Sequence, residues 1–292
     1  MECRREHFSG RTCGHLFDSI SIYANDTSVT INAKNVSNLV EKAHQELSNI
    51  AEWLRLNKLS PNPQKTEFMV IGHPRKTSNP DLPETLNLNN SDIKRVNKAK
   101  SLGIIVDENL AWDEQFKRTK SKISAGLSAL KRLKNIMSQT QLCCVYYALV
   151  ESHLRYGDVI WGSLSITRIT ALQCLQNRAC AIIKNAKIKD NWSCSWMSVE
   201  NIIRYDRSIM TYKIMNKLCP ENLFDKYSPR STISSYNTRN LKDLEIPKYR
   251  LEYPKKGFHY AALKAWNEIP LAIRESPTLN RFKKQLKTHL KS

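Results

Sequence analysis

The stretch S-I-S-I-Y-A-N-D-T-S-V-T-I runs from Ser19 to Ile31 and alternates apolar and polar residues on both sides of a short polar break. Alternation with a period of two is typical of strands that bury one face. A break of about two residues suits the tight turn of a hairpin. The sequence therefore predicts a β-hairpin over 17–31 with Asp26 at its tip.

The next segments predict one long helix and several short strands. Apolar residues recur three and four positions apart between Val36 and Leu59, which is typical of an amphipathic helix. Asn35 or Ser37 is placed to cap this helix, and Pro61 ends it. Strands are predicted over 65–71, 85–88, 93–96 and 101–106, with a loop over 73–84. This part of the chain is therefore of the α+β class.

From about Trp112 the pattern becomes mainly helical. Helices are predicted around 116–133 and over 140–155, 165–187, 199–218, 258–266 and 278–290. We accordingly divide the chain into a leader over 1–16, which we expect to be disordered, an α+β part over 17–110 and a helical part over 111–292.

The positive charge of the chain is concentrated in the helical part. The net charge is +19, yet residues 1–110 hold 14 Lys and Arg against 13 Asp and Glu, and the remainder holds 32 against 14. Such a density indicates a polyanionic partner, and we favour nucleic acid over a membrane. A basic surface without a special partner is the alternative. The candidate binding residues are Lys117, Arg118, Lys120, Lys122, Lys131, Arg132 and Lys134, and a further candidate is the basic cluster over Lys283–Lys287.

Several features indicate an intracellular protein, nuclear or cytoplasmic. No run of about 18 apolar residues would span a membrane, and the polar N-terminus does not have the pattern of a signal peptide. The eight cysteines form no Cys-x-x-Cys pair. We interpret them as reduced thiols packed in the core.

Six segments together resemble one family. Y-A-N-D-T, W-L-R-L-N-K-L-S-P-N-P-Q-K-T-E-F-M-V-I-G and K-S-L-G-I-I-V-D-E-N-L-A-W resemble successive blocks of the reverse transcriptases of non-LTR retrotransposons, the jockey-like class. R-Y-G-D-V-I-W-G, L-Q-C-L-Q-N-R-A and W-N-E-I-P-L-A-I-R-E-S-P-T-L-N-R-F-K-K-Q-L-K resemble the C-terminal region of the same polyproteins. The resemblance implies a C-terminal fragment, with 17–110 as a partial polymerase palm and 111–292 as a mainly α-helical thumb and C-terminal region. It also implies RNA-directed DNA synthesis with Mg²⁺ as the ancestral activity.

The resemblance assigns three residues to the catalytic site. Asp26 matches the second of two adjacent metal-binding acids, whereas Asn25 stands where the first is expected. Lys65 matches the lysine that protonates the leaving pyrophosphate. Because Asn is neutral, the site loses a negative charge that Mg²⁺ would need. An ordinary turn aspartate and a solvated lysine are the alternatives for Asp26 and Lys65.

The preceding palm block and the fingers of the family have no counterpart in this sequence. We therefore expect a vestigial metal site that does not bind Mg²⁺ productively. We also expect a protein that is inactive alone and at most a non-specific binder of RNA or DNA. The alternatives are a fragment that is active only with a palm and fingers half supplied in trans, and a product of a decayed retrotransposon without a role.

Overall fold

A computed structural model describes residues 19–23, 26–89, 91–190, 192–220, 223–224, 227–230, 242–250, 252–255 and 257–291. They divide into two compact units, one up to Ala111 and one from Trp112. The fold contains both helices and small sheets, as predicted. The leader 1–16 lies outside the described residues. The assignment of the two parts to a palm and a thumb stays a prediction.

The first unit begins with the predicted hairpin. Strand β1 (Ser19–Tyr23) pairs antiparallel with β2 (Asp26–Thr30), and Tyr23 lies opposite Asp26 in the register. The hairpin is therefore confirmed, and Asp26 is the first residue of its second strand. The turn residue Asn25 lies outside the described residues.

The core of the first unit forms between one helix and a three-stranded sheet. Helix α1 (Val36–Leu56) is capped by the Asn35 side chain, which accepts a hydrogen bond from the Asn38 N–H at 2.9 Å. Strands β3, β4 and β5 form a sheet in the order β3-β5-β4. Buried Leu86 and Ile93 of this sheet pack against Leu47 of α1. The bounds of the elements between α1 and β5 are β3 Glu67–Phe68, α2 Pro74–Thr77, β4 Thr85–Leu88 and β5 Ser91–Arg95.

Three predictions in the first unit are wrong in detail. The strand predicted over 65–71 is confined to β3, and the loop predicted over 73–84 contains the short helix α2. The strand predicted over 101–106 is instead a hairpin of β6 (Lys98–Ser101) and β7 (Ile104–Asp107). Leu102 and Gly103 turn this hairpin with φ angles of 45° and 81°. Gly103 takes this left-handed conformation without steric cost, which allows the chain to reverse.

The second unit is helical. A π-helical segment, Tyr147–Glu151, continues α4 into α5. Elsewhere the long helices lie within a few residues of the predicted bounds, whereas α6, α9 and α11 were not predicted. The helices are α3 Asp113–Leu133, α4 Gln139–Tyr146, α5 Ser152–Arg155, α6 Asp158–Trp161, α7 Ile166–Lys184, α8 Val199–Met215, α9 Glu252–Lys255, α10 Phe258–Asn267, α11 Leu271–Arg274 and α12 Leu279–His289.

Helices α3 and α7 run in the same direction side by side. At their beginnings, Arg168 of α7 forms an ion pair with Asp113 of α3. At their ends, the Lys187 N–H donates to the Lys134 carbonyl oxygen at 2.9 Å. Both C-terminal ends therefore lie together, and each carries a partial negative charge from its carbonyl groups.

A second core lies among α8, α10 and α12. The rings of Tyr212 and Phe282 stack with centroids 4.4 Å apart, and Trp266 packs beside Phe282 at 5.8 Å. The Tyr212 hydroxyl donates to the Ser276 carbonyl oxygen at 2.7 Å, so its polar atom is satisfied although the residue is buried.

The cysteines are less buried than predicted. The six that the structure describes carry free thiols. Cys143 is buried, but Cys144 and Cys174 are exposed, so the prediction that they pack in the core is wrong for these two. Each lies on a helix whose neighbouring position faces the core, since Cys143 and Leu175 are buried. Among the described helices, none is long and apolar enough to cross a membrane.

Candidate nucleic-acid interface

The two predicted catalytic residues of the first unit lie on its surface. Asp26 is exposed at the start of β2. Lys65 is also exposed, and it lies in a turn before β3, where its N–H donates to the Asn62 carbonyl oxygen at 3.1 Å. The prediction that Lys65 begins a strand is therefore wrong. Among the described residues, the Asp26 and Lys65 side chains form no hydrogen bond or ion pair with each other.

The described residues around Asp26 do not fit a magnesium pair. Two metal ions in a polymerase site are held by carboxylates from more than one chain segment. Within the described ranges, no three His, Cys, Asp or Glu side chains come close enough to hold a metal ion. Asp26 alone would leave most ligand positions to water. The residue before Asp26 in the sequence is Asn25, whose side chain is neutral.

Seven of the predicted basic residues of the second unit lie on the outward side of α3. The helix buries Thr119, Ile123 and Leu130 on its inward side. A helix turns by ~100° per residue, so Lys117, Lys120 and Lys131 share one flank, whereas Arg118 and Lys122 share the opposite one. All seven predicted residues are exposed or half-buried: Lys117, Arg118, Lys120, Lys122, Lys131, Arg132 and Lys134.

The beginning of α3 is partly neutralised by its own acids. The Lys117 ammonium lies 2.9 Å from the Glu114 carboxylate, and the hydrogen bond between them raises the pKa of Lys117. On the opposite flank, Arg118 and Lys122 lie near His153 of α5. Burial, followed by the charges of Lys122 and Arg118, lowers the pKa of His153. The charges of Lys122 and Arg118 thus add to the effect of burial, because each disfavours a further positive charge at His153.

A further concentration of positive charge lies where α3 and α7 end. We define the helix-end cluster as Lys131, Arg132, Lys134, Lys184, Lys187 and Lys189. Five of its side chains are exposed and Lys134 is half-buried. In the part of the chain that the structure describes, none of the six forms an ion pair with a carboxylate. The Lys189 ammonium instead donates to the Lys184 carbonyl oxygen.

Gln139, the first residue of α4, ties the beginning of this helix to the end of α7. Its buried side-chain amide donates to the carbonyl oxygens of Ile183 and Lys184 at 3.3 and 3.2 Å. Its side-chain oxygen accepts from the Asp190 N–H at 3.2 Å. These bonds satisfy carbonyl groups that the end of α7 leaves without helical partners. The lysines that flank these hydrogen bonds therefore lie on segments whose backbone is held in place.

Asp190 directly follows the helix-end cluster in the sequence. Its carboxylate accepts hydrogen bonds from backbone N–H groups and forms no ion pair with the cluster in the described part of the chain. Its carboxylate accepts from the Thr140 N–H at 2.9 Å, near the beginning of α4, and from the Trp192 N–H at 3.1 Å. The hydrogen bond from Thr140 is the main reason why its pKa is lowered. The helix-end cluster therefore keeps an excess of about five positive charges.

Two exposed isoleucines lie beside the cluster. Ile136 is 72% exposed and Ile188 is 45% exposed. Ile136 lies between Lys134 and Ser138 in the sequence, and Ile188 pairs with Ser138 in an isolated β-bridge. The segments that carry the cluster thus also expose apolar side chains.

Sequence reasoning found only half of the helix-end cluster. Lys131, Arg132 and Lys134 were predicted, whereas Lys184, Lys187 and Lys189 were not. The signal in the sequence was the run K-N-A-K-I-K over 184–189, which has no acid. Its proximity to α3 depends on the parallel packing of α3 and α7, which the sequence does not display.

The chain is similar in part to RNA-directed DNA polymerases of two transposons. It is 19% identical over 195 residues to a probable RNA-directed DNA polymerase from transposon X-element of Drosophila melanogaster. The aligned residues are 66% of this chain and 20% of the relative. It is 27% identical over 163 residues to the probable RNA-directed DNA polymerase from transposon BS of the same fly, which covers 55% of this chain and 18% of the relative. The chain thus spans about a fifth of the length of the curated relatives it matches. No family model and no solved structure matches.

Proposed function

We propose that this chain is a reverse-transcriptase-related protein of a jockey-like element, with the end of a palm over 17–110 and a thumb and C-terminal region over 111–292. Its helical unit binds RNA or DNA without sequence specificity through the helix-end cluster. The observation that carries the proposal is that six cations lie together at the ends of α3 and α7. The acid next to them in the sequence, Asp190, is hydrogen-bonded to Thr140. The similarity to transposon polymerases favours nucleic acid as the polyanionic partner of this basic surface.

The expected mode of binding follows from the side chains. Lysine ammonium groups contact phosphate oxygens as point charges and read no base edges. Each phosphate that is neutralised releases counterions, which gives a slope of about −0.9 in log K against log salt for duplex DNA. Engagement of about four phosphates would therefore give a slope of about −4. Lys117, Arg118, Lys120 and Lys122 extend the basic surface along α3, starting roughly 14 Å from Lys131.

A salt titration with matched variants tests the proposal. Binding of a fluorescent duplex to the full chain is measured by anisotropy for the wild type and for the triple variant Lys131→Gln, Lys134→Gln, Lys187→Gln. The charge-matched control carries Lys283→Gln, Lys284→Gln and Lys287→Gln on α12. We expect the cluster variant to lower the salt slope by about two to three, and the control to change it by less than about one. Equal slopes for the two variants would refute the assignment.

Anionic vesicles serve as the second arm of the same experiment. A basic surface with exposed Ile136 and Ile188 would also suit an anionic bilayer. We propose nucleic acid and no membrane, so the duplex should bind more tightly than vesicles that contain phosphatidylserine. Tighter binding to the vesicles, abolished in the cluster variant, would contradict this choice of partner.

We propose further that the chain does not polymerise DNA by itself and does not bind Mg²⁺ productively. Asn25 replaces one expected acid, and among the described residues Asp26 belongs to no group of three His, Cys, Asp or Glu side chains that could hold a metal ion. Incubation with a primed RNA template, nucleotides and Mg²⁺ should give no extension. Co-expression with a complete palm and fingers half tests activity in trans, and Asn25→Asp should then increase extension. Extension by the chain alone would overturn the proposal.

A further inference from the structure

A second basic feature of the helical unit lies in its interior. Arg207 of α8 is only 9% exposed. Its Nη2 group donates to the Ser163 hydroxyl at 2.8 Å. Its Nε group is buried and has no hydrogen-bond partner among the described residues. A buried cation with an unsatisfied donor is unfavourable unless an anion accompanies it.

The nearest acid does not supply the missing negative charge. Asp158 of α6 is 1% exposed, and no carboxylate of the described residues forms an ion pair with Arg207 within 4 Å. Asp158 instead lies beside Asp206, whose oxygens accept from Arg155 Nη1 at 2.7 and 2.8 Å, and Asp158 Oδ2 has no hydrogen-bond partner among the described residues. Burial and the charge of Asp206 raise the pKa of Asp158 to about 9. At neutral pH, Arg207 therefore lies near a neutral carboxyl group.

A cavity opens beside Arg207. Its volume is about 290 Å³, and Arg204, Lys255 and Ser163 also line it. The wall contains one acid, Glu200, against three cations. Arg204 also forms an ion pair with Glu268 at 2.7 Å, so part of its charge is compensated. The rest of the wall is apolar and includes Leu164, Ile169 and Ile203.

We propose that this cavity binds a phosphate group, with Arg207 as its buried donor and Arg204, Lys255 and Ser163 as further donors. Guanidinium groups match phosphate oxygens with paired N–H donors, and a dianion suits three cations better than a carboxylate does. The cavity is larger than phosphate alone. The apolar wall therefore has room for the organic part of a phosphate monoester.

This site is separate from the helix-end cluster. Ile169 lies near the beginning of α7, and Lys184 lies at its end, roughly 22 Å further along the helix. The inference therefore does not depend on the proposed binding of nucleic acid, and the two can fail independently.

Phosphate titration of the full chain tests the inference. Thermal unfolding is followed with inorganic phosphate and, at equal ionic strength, with chloride. We expect phosphate to raise the midpoint of the wild type because a ligand that binds only the folded state stabilises it. Arg207→Met should abolish this gain and should unfold no earlier than the wild type without phosphate, since a buried unpaired charge is removed.

Two further variants test the inference independently of Arg207→Met. Lys255→Gln lies at a half-buried position, and it should weaken phosphate binding at least fivefold in calorimetry even if Arg207→Met does not fold. The double variant Lys134→Gln, Lys187→Gln should keep the phosphate-dependent gain. The inference is overturned if phosphate stabilises the wild type no more than chloride does, or if the gain is lost only in the double variant.

The ligand's source is identified by three probes. Inorganic phosphate, adenosine monophosphate and a 5′-phosphorylated oligonucleotide are compared, with a 5′-hydroxyl oligonucleotide as control. Tighter binding of the mononucleotide than of phosphate supports a nucleotide site. A preference for the phosphorylated over the hydroxyl oligonucleotide, lost in Lys255→Gln, supports capture of a nucleic-acid end. Binding of inorganic phosphate alone supports a site for the free ion.

Discussion

Asp158 of α6 and Asp206 of α8 bring two buried carboxyl groups next to each other, and at neutral pH the Asp158 carboxyl group retains its proton. Asp206 also accepts from Arg155, which links α5 to the same pair. Burial raises the pKa of both carboxyl groups, and Asp158 is raised to about 9. Three helices are thus held by a contact that requires a protonated acid at neutral pH.

Substitution Asp158→Asn should remove a pH dependence of stability. The pKa of Asp158 is near 3.8 when unfolded and about 9 when folded. Its stabilising effect is therefore fully present below about pH 4 and is lost as the pH rises towards 9. Between pH 5 and 9, the wild type should lose about 1.4 kcal/mol per pH unit relative to the Asn variant, roughly 5 kcal/mol in all, by denaturant unfolding. Parallel curves for the two proteins would contradict the retained proton.

Gly126 of α3 should resist replacement by alanine, although alanine is the better helix former by about 1 kcal/mol. A Cβ atom there would lie 2.6 Å from the Leu149 carbonyl oxygen and 3.0 Å from Val150 Cγ2. The π-helical segment would have to move away from α3. We expect Gly126→Ala to lower the free energy of unfolding by about 1–3 kcal/mol. Ser124→Ala, at an exposed position of the same helix, should be neutral or slightly stabilising.

The close approach at Gly126 illustrates what the sequence could not reveal. The spacing of apolar residues located α1 and α3 because burial of one helical face is a local pattern. The end of β6 was missed, since Leu102 is apolar and suits a strand, yet it takes a positive φ in the turn. The alternation of apolar and polar residues alone does not predict this reversal of the chain.

The polar sites depend on packing between distant segments. Asp158 lies in a short helix without a clear sequence pattern, and its partner Asp206 is 48 residues away. Similarly, Lys187 joins Lys134 only because α3 and α7 are parallel. Composition located the excess charge in the second part of the chain, but the arrangement of that charge required the tertiary structure.

Alkylation should distinguish the cysteines of α7. Burial, together with a hydrogen bond to Cys194, raises the pKa of the Cys180 thiol to about 12. Because the thiolate is the nucleophile, Cys180 should react slowly at pH 8, whereas exposed Cys174 reacts first. Iodoacetamide labelling followed by peptide mass spectrometry measures both rates. We expect at least a tenfold difference in the folded protein, which should vanish in denaturant. Equal rates before unfolding would show that Cys180 is not shielded.

Gln139 should affect nucleic-acid binding although it carries no charge. Gln139→Ala removes three hydrogen bonds, to Ile183, Lys184 and Asp190, and leaves the carbonyl groups at the end of α7 without this partner. Stability should fall by about 1–2 kcal/mol, because the hydrogen bonds of a buried side chain are lost, whereas the Ile183 and Lys184 carbonyl oxygens keep the Ala186 N–H and the Lys189 ammonium as partners.

The same substitution loosens the segment that carries Lys187 and Lys189, so affinity for a duplex should fall severalfold at an unchanged net charge. Asn185→Ala serves as the control, since its side chain is exposed within the same segment. If Gln139→Ala lowers stability but leaves affinity and salt slope as in the control, the cations act independently of the scaffold. If both fall together, the geometry of the helix-end cluster contributes to binding beyond its charge.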